Sequence, residues 1–398
     1  MLHLLSPRGF RAGAAAAGIK SGNKLDVGLL VCDVEATAAA VFTTNKVRAA
    51  GVTLGERHVA SGKLRGVVVN SGNANACTGR RGEKDAWRMC RLAAEVAHCP
   101  PKLILPSSTG IIGHYLPMEK IERGIAAAGR DLGRGEQDAQ HFAGAILTTD
   151  LARKSAAVRA RIGGKDFTLA GVCKGSGMIG PRLGLHATML AYLTTDARIS
   201  PGLLRKLLFA AAEGSFNAVT VDDHASTNDT LAILASGLGP AIDSPPTIKV
   251  FSSALSEVCQ SLARQIAADG EGATKIVRID VKGARTAQDA KAIARSIANS
   301  PLVKCAMNGN DPNWGRIVSA AGMCGADFDP DKSVLRLQGK IVFRAGQPAK
   351  FNAKDVSRAL AQSEVVVDLA CGLGKSAATV WTCDLSREYV TINADYHT

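Results

Sequence analysis

Aromatic side chains are scarce, only 4% of the 398 residues. Proteins that hold single-stranded nucleic acid stack bases on rings, and this chain has few rings to offer. No apolar run reaches the roughly 18 residues that a membrane-spanning helix needs. The N-terminal Met1-Leu-His-Leu-Leu-Ser-Pro-Arg-Gly-Phe10 lacks a long apolar region followed by a cleavage site, which argues against secretion. The 10 cysteines stand singly from Cys32 to Cys383, with no CxxC pair and no Cys or His cluster to ligate zinc. A disulfide framework and a zinc site are thereby excluded. The expectation is a reduced, cytoplasmic protein without metal, cofactor or membrane partner.

Charge is plentiful but unevenly signed: 48 Lys and Arg face 35 Asp and Glu, a net charge of +13. The basic residues are spread along the chain rather than gathered in a patch. That pattern fits a solvated surface favouring anionic small molecules better than a nucleic-acid groove.

A chain this long exceeds one ordinary core and implies more than one domain. Apolar residues make up 46% and charged residues 21%, a soluble globular balance. Helical spacing appears after Ser200-Pro201 (Leu203, Leu204, Leu207, Leu208) and along Leu255, Val258, Leu262 and Ile266. It also appears from Thr286, a capping residue, to Asn299, and over 83–97 and 118–128. Strand-like runs cover 66–69, 103–105, 276–281, 334–342, 364–369 and 389–392. No such run leads into Gly175. Helices and strands alternate throughout, so the fold class is α/β or α+β. The glycine turn at 270–275 is the best boundary, dividing a body over 1–275 from a smaller α/β domain over 276–398.

The most informative stretch runs from Lys174 through Gly175-Ser-Gly-Met-Ile-Gly180 to Ala187-Thr188 and the apolar 189–193. A hydroxyl between a loose glycine-rich turn and a buried strand has the chemistry of a self-cleaving nucleophile. The Thr188 Oγ can attack the Ala187 carbonyl, and scission leaves Thr188 with an α-amine that acts as its own base. A plain glycine-rich loop entering a core strand accounts for the same residues. His186 beside it is most simply a loop histidine.

Other motifs divide in the same way. Gly175–Gly180 spells GxGxxG, but Pro181 and Gly184 oppose the helix that a dinucleotide site opens. Gly372-Leu-Gly-Lys-Ser376 fails as a phosphate loop because Leu369 stands where the first glycine is needed. Ser107-Ser-Thr-Gly-Ile-Ile-Gly113 follows a strand and suits an oxyanion hole or an ordinary turn. Asn70-Ser-Gly-Asn-Ala-Asn-Ala76 is a polar loop after a buried strand. Glu271, flanked by glycines, is either solvated or a proton acceptor. Asn308-Gly-Asn-Asp-Pro-Asn-Trp-Gly-Arg316 is either an Asx-rich turn or part of a site.

Taken in order, these blocks resemble the ornithine acetyltransferase (glutamate N-acetyltransferase) family of arginine biosynthesis. Val68–Ala76, the Lys-Gly-Ser-Gly-Met-Ile run, Ala-Thr-Met-Leu, Leu-Thr-Thr-Asp-Ala, Asp-Pro-Asn-Trp-Gly-Arg, Cys383-Asp-Leu and Tyr389–Thr398 carry the resemblance. It implies a layered α/β body of the N-terminal-nucleophile kind, cut at Ala187/Thr188 into an α chain (1–187) and a β chain from Thr188. It implies ping-pong transfer of acetyl from N2-acetyl-L-ornithine to L-glutamate through acetyl-Thr188, with acetyl-CoA as a possible second donor. Thr109 and Gly110 fall at the family's oxyanion hole, and Glu271 among its catalytic residues. Thr148, Lys174, Thr188, Glu271, Asn393 and Thr398 match substrate-binding positions, so the C-terminal tail is expected over the site. Assembly as α2β2 is implied as well. The stretch between Lys174 and Thr188 is longer here than in the family pattern, and Leu185-His186 replaces the usual Asn-Met. A glycine commonly found after the first Asp of Val221-Asp-Asp-His-Ala-Ser-Thr-Asn228 is also missing. The same nucleophile chemistry with water as acceptor is the alternative, an amidase or aminopeptidase.

Overall fold

The computed structural model describes residues 1–180 and 189–395. Up to residue 242 the strands are β1 (Phe10–Ala15), β2 (Val27–Phe42), β3 (Lys63–Asn73), β4 (Ile104–Ile111), β5 (Lys154–Ile162), β6 (Lys165–Lys174), β7 (Leu190–Thr195), β8 (Arg198–Ile199), β9 (Thr230–Ala235) and β10 (Ala241–Ile242). Eight of them form one sheet in the order β4-β3-β2-β9-β7-β6-β5, with β1 also paired to β2, while β8 and β10 form a small parallel pair. From residue 276 come β11 (Ile276–Ala284), β12 (Val334–Leu337), β13 (Lys340–Arg344), β14 (Gln347–Pro348), β15 (Glu364–Ala370) and β16 (Ser376–Cys383). These make a second sheet, β14-β13-β12-β15-β11-β16.

The large sheet is buried on both faces, and strict two-residue alternation sorts its side chains between them. From β7 and β9, Ala191, Leu193, Leu231 and Ile233 point to one core. Leu190, Tyr192, Ala232 and Leu234 point to the other. The helices Pro201–Glu213 and Pro245–Ala268 cover the first face, supplying Leu204, Leu208, Leu255 and Leu262. On the second face Phe142, from the helix Glu136–Ala145, meets Tyr192 edge-on at 5.6 Å. Near β3 and the start of β2, the helices Gly79–Ala97 and Met118–Arg130 cover Val27, Leu29, Val31 and Val68. The second sheet rests on the helices Ala287–Asn299 and Trp314–Gly322. Trp381 and Cys383 of β16 enter the core under Pro245–Ala268, so the two sheets share that helix.

Three readings of the sequence change. The run 334–342 is a hairpin, turned at Gln338 (φ 47°) and Gly339 (φ 77°), rather than one strand. Residues 389–392 lie in the helix Arg387–Asp395, started by Ser386 Oγ accepting from Glu388 N at 3.2 Å, as an N-cap does. A strand does lead into Gly175: β6 was hidden because a strand buried on both faces shows no polar–apolar alternation. Among the described residues, no helix is long and apolar enough to cross a membrane.

Candidate active site

The C-terminal ends of β4 and β6 and the start of β7 open onto a cavity of about 600 Å³, also lined by Glu271 and Asn393. Parallel β3 and β4 end side by side, with Ser71 opposite Thr109 and Gly72 opposite Gly110. Gly110 has φ 130°, and a Cβ there would come within 2.4 Å of the Gly72 carbonyl carbon. Only glycine permits this approach, and it leaves Thr109 and Gly110 side by side in the cavity lining. The asparagine-rich loop is the brace beneath it. Asn70 Oδ1 accepts from Ser108 Oγ at 2.6 Å, and Asn70 Nδ2 donates to Asn73 O at 2.9 Å. From the other side, Asn228 Nδ2 donates to Ser108 O at 2.8 Å and Ala74 O at 2.5 Å. These asparagines satisfy buried backbone carbonyls where the ladder ends.

Lys174 is the last residue of β6, and its Nζ donates to Thr148 Oγ1 at 3.0 Å. Beneath them, the Asp150 carboxylate accepts from Gly175 N at 2.7 Å, Thr148 N at 3.2 Å and Lys154 Nζ at 2.7 Å. Burial by itself would raise the Asp150 carboxyl, but the charges of Lys174 and Lys154 outweigh it and hold the group below the usual carboxylate range. Lys154 also donates to Asp269 Oδ2 at 2.5 Å. In β7, Leu190 pairs with Lys174 on one side and Thr230 on the other, and Met189 O accepts from Thr230 N at 2.7 Å.

The described start of the loop after β6 is held at two points. Ser176 Oγ donates to Asp269 O at 2.6 Å, and Ser176 O accepts from Glu271 N at 3.1 Å. Asp222 takes the N–H groups of Met178 and Ile179, each at 2.7 Å, and the Tyr389 hydroxyl at 3.3 Å. Desolvation raises the Asp222 carboxyl despite these donors. Glu271 is buried, and its Oε2 accepts from Asn393 Nδ2 at 2.9 Å. Gly177 lies so close that a Cβ would fall 2.3 Å from Glu271 Oε2.

Thr109, Gly110, Thr148, Lys174, Glu271 and Asn393, picked out from the sequence, therefore line one cavity. Ala187, Thr188 and Thr398 lie outside the described residues, as does His186; Met189, bonded to Thr188, lines the cavity. The 308–316 segment lies elsewhere. Asn313 caps the helix that follows by accepting from Arg316 N, and Trp314 stacks on Phe343 at 5.3 Å, so its polarity is that of a turn and a cap. Sequence reading missed Asp150, Lys154, Asp222, Asn228, Asp229 and Asp269. Asp229 also lines the cavity; its side chain is fully buried and its Oδ2 has no hydrogen-bond partner among the described residues. Desolvation pushes its carboxyl well above the normal range. Among the described residues no His, Cys, Asp and Glu group is arranged to hold a metal.

This chain is similar to curated proteins along its whole length. The arginine biosynthesis bifunctional protein ArgJ of Dehalococcoides mccartyi (strain CBDB1) is 46% identical over 404 residues, covering 99% of this chain and 97% of that protein. Its counterpart in Symbiobacterium thermophilum is 46% identical over 399 residues, covering 99% and 98%. The solved arginine biosynthesis bifunctional protein argJ of Bacillus halodurans is 41% identical, with a TM-score of 0.45, over 46% of this chain and 95% of that one. A family model described as "ArgJ family" matches residues 11–398. The chain belongs to the ArgJ family.

Proposed function

We propose that this protein moves the acetyl group of N2-acetyl-L-ornithine to L-glutamate, carrying it on Thr188 after the chain cuts itself between Ala187 and Thr188. Family membership makes it an acyltransferase-class enzyme of arginine biosynthesis. The observation that carries the finer reading is the convergence of six residues, drawn from separate parts of the sequence, on one cavity that also holds the neighbour of Thr188. It spans residues from the 1–275 body and Asn393 from the 276–398 domain.

In the first half-reaction, Thr188 Oγ attacks the acetamide carbonyl carbon and its proton passes to the Thr188 α-amine. The Thr109 hydroxyl and the Gly110 N–H meet the oxyanion of the tetrahedral intermediate. The C–N bond then breaks, the ornithine nitrogen leaves with the proton, and acetyl stays as an ester on Oγ. In the second half, the glutamate amine attacks that ester, the C–O bond breaks and the proton returns to Oγ. Lys174, with Thr148, holds a substrate carboxylate as a point charge. Glu271, held by Asn393, pairs with a substrate ammonium. The tail carrying Asn393 and Thr398 closes the site, and two copies of each cut chain assemble as α2β2.

The test is product analysis with and without L-glutamate. N-acetylglutamate appearing in step with ornithine supports transfer; equal ornithine release and free acetate without glutamate would make the protein a hydrolase. A parallel arm with acetyl-CoA as donor decides whether it has a second donor.

A further inference from the structure

Beneath the cavity floor lies a buried charged cluster that the reaction just described does not use. Lys154 opens β5 and is 1% exposed, the Asp150 side chain is 0% exposed and Asp269 is 12% exposed. A buried ammonium between two carboxylates is poor evidence of stabilisation by itself, because desolvation offsets the attraction. What these carboxylates hold is more telling. Asp150 accepts the N–H groups of Thr148 and Gly175, which belong to the residue touching Lys174 Nζ and to the residue after Lys174. Asp269 accepts from Leu151 N at 3.2 Å, and its own carbonyl anchors Ser176, whose carbonyl in turn takes the N–H of Glu271. Asp150 thus holds the cavity residue Thr148 directly, and Asp269 leads through Ser176 to the cavity residue Glu271.

Charge matters as much as spacing. The Asp150 carboxylate feels the charges of Lys154 and Lys174, and of these two ammonium groups it is hydrogen-bonded to that of Lys154; the Lys174 ammonium is bonded to the neutral Thr148 hydroxyl. Without the Lys154 charge, Lys174, whose neighbour Gly175 already donates to Asp150, is drawn to neutralise it. A lysine so engaged is withdrawn from an incoming carboxylate.

We infer that Lys154 is a positioning residue: by occupying Asp150 and Asp269 it keeps Lys174 available to substrate and fixes the Thr148–Lys174 edge relative to Glu271. This rests on the proposed role of Lys174 as a carboxylate anchor. The test compares the parent with Lys154→Met and with Lys154→Met/Asp150→Asn, reading kcat and KM separately for N2-acetylornithine and glutamate. Lys154→Met should raise both KM values about 10-fold while kcat falls less than about 3-fold, a coupling typical of neighbours in one network. The double variant should recover KM to within about 3-fold of the parent, because the acid competing for Lys174 is gone. A merely structural role predicts instead a lower melting temperature with unchanged KM, or a loss that the second change does not repair; either result overturns the inference. Should Lys154→Met fail to fold, the double variant alone decides, since a KM still raised about 10-fold in it contradicts the competition argument. A parent without transferase activity overturns the functional reading instead. The series is then read by calorimetry of L-ornithine binding, where equal affinity in parent and Lys154→Met rejects the positioning role.

Discussion

Replacing Gly110 by alanine tests how the cavity edge is built. Its φ of 130° lies where an L side chain is strained, at a cost of about 1–3 kcal/mol. The added Cβ would also stand 2.4 Å from the Gly72 carbonyl carbon and 2.6 Å from Asn73 N, where real Cβ contacts essentially never fall below 3.0 Å. Both obstacles are backbone, so relief requires the ends of β3 and β4 to part, at about 1–3 kcal/mol more. The sum is about 2–6 kcal/mol. With a melting entropy of about 2.1 cal/mol/K per residue, hence about 0.8 kcal/mol/K for this chain, the melting temperature should fall by about 2–7 °C. Moving the Thr109–Gly110 peptide also displaces the proposed oxyanion donors, so kcat should drop about 10²–10³-fold in protein that is still folded. Gly113→Ala is the control: its φ is also positive, at 89°, but a Cβ there meets nothing within 4 Å. It should lose some stability and keep kcat. Calorimetry and steady-state turnover on both variants suffice. A Gly110→Ala protein with parental melting temperature and kcat would show that the ends of β3 and β4 accept a side chain at this position.

With Thr109 in the proposed oxyanion role, Thr109→Ala should lower kcat about 10²-fold, about 2.7 kcal/mol, with a smaller effect on KM, because the charge it would meet develops in the transition state. A KM rise as large as the kcat loss, measured in the same steady-state assay, would make Thr109 a ground-state contact. Asp229 has its carboxyl raised by burial, so its stability contribution is full below the unfolded value of 3.8 and is lost as pH rises through the folded one. Asp229→Asn should therefore raise the melting temperature more at pH ~8 than at pH ~5, relative to the parent. An equal shift at both would show that the acid is not held neutral.

Much of this molecule was legible from local signals. Thr286 caps the helix Ala287–Asn299, its Oγ1 accepting from Asp289 N at 3.0 Å, and the Ser200-Pro201 pair sits where its helix begins. Pro301 likewise opens a new helix where the sequence marked a stop. The residues picked out for the site were legible through motif blocks, and the structure gathers those it describes in one cavity. What stayed hidden depends on long-range partners. The loop Val221–Asn228 showed no role in the sequence, yet Asp222 reaches back 44 residues to Met178 N. Asp269 reads as a helix-end acid until β5 brings Lys154 to it, 115 residues away along the chain. The strand β6 was invisible for a different reason: a sheet buried on both faces removes the alternation by which strands are recognised. Asn308–Arg316 was left open between a turn and a site because Asx turns, caps and binding loops draw on the same residues.

In the proposed reaction acetyl rides on Thr188 of a cut chain. Intact-mass measurement of the protein, before and after incubation with N2-acetyl-L-ornithine alone, addresses it directly. Two chains divided at Ala187/Thr188 are expected, with the chain that begins at Thr188 heavier by one acetyl group after incubation and restored by L-glutamate. A single 41.3 kDa chain that transfers acetyl, or a cut protein active in transfer that never gains the acetyl mass, would contradict it.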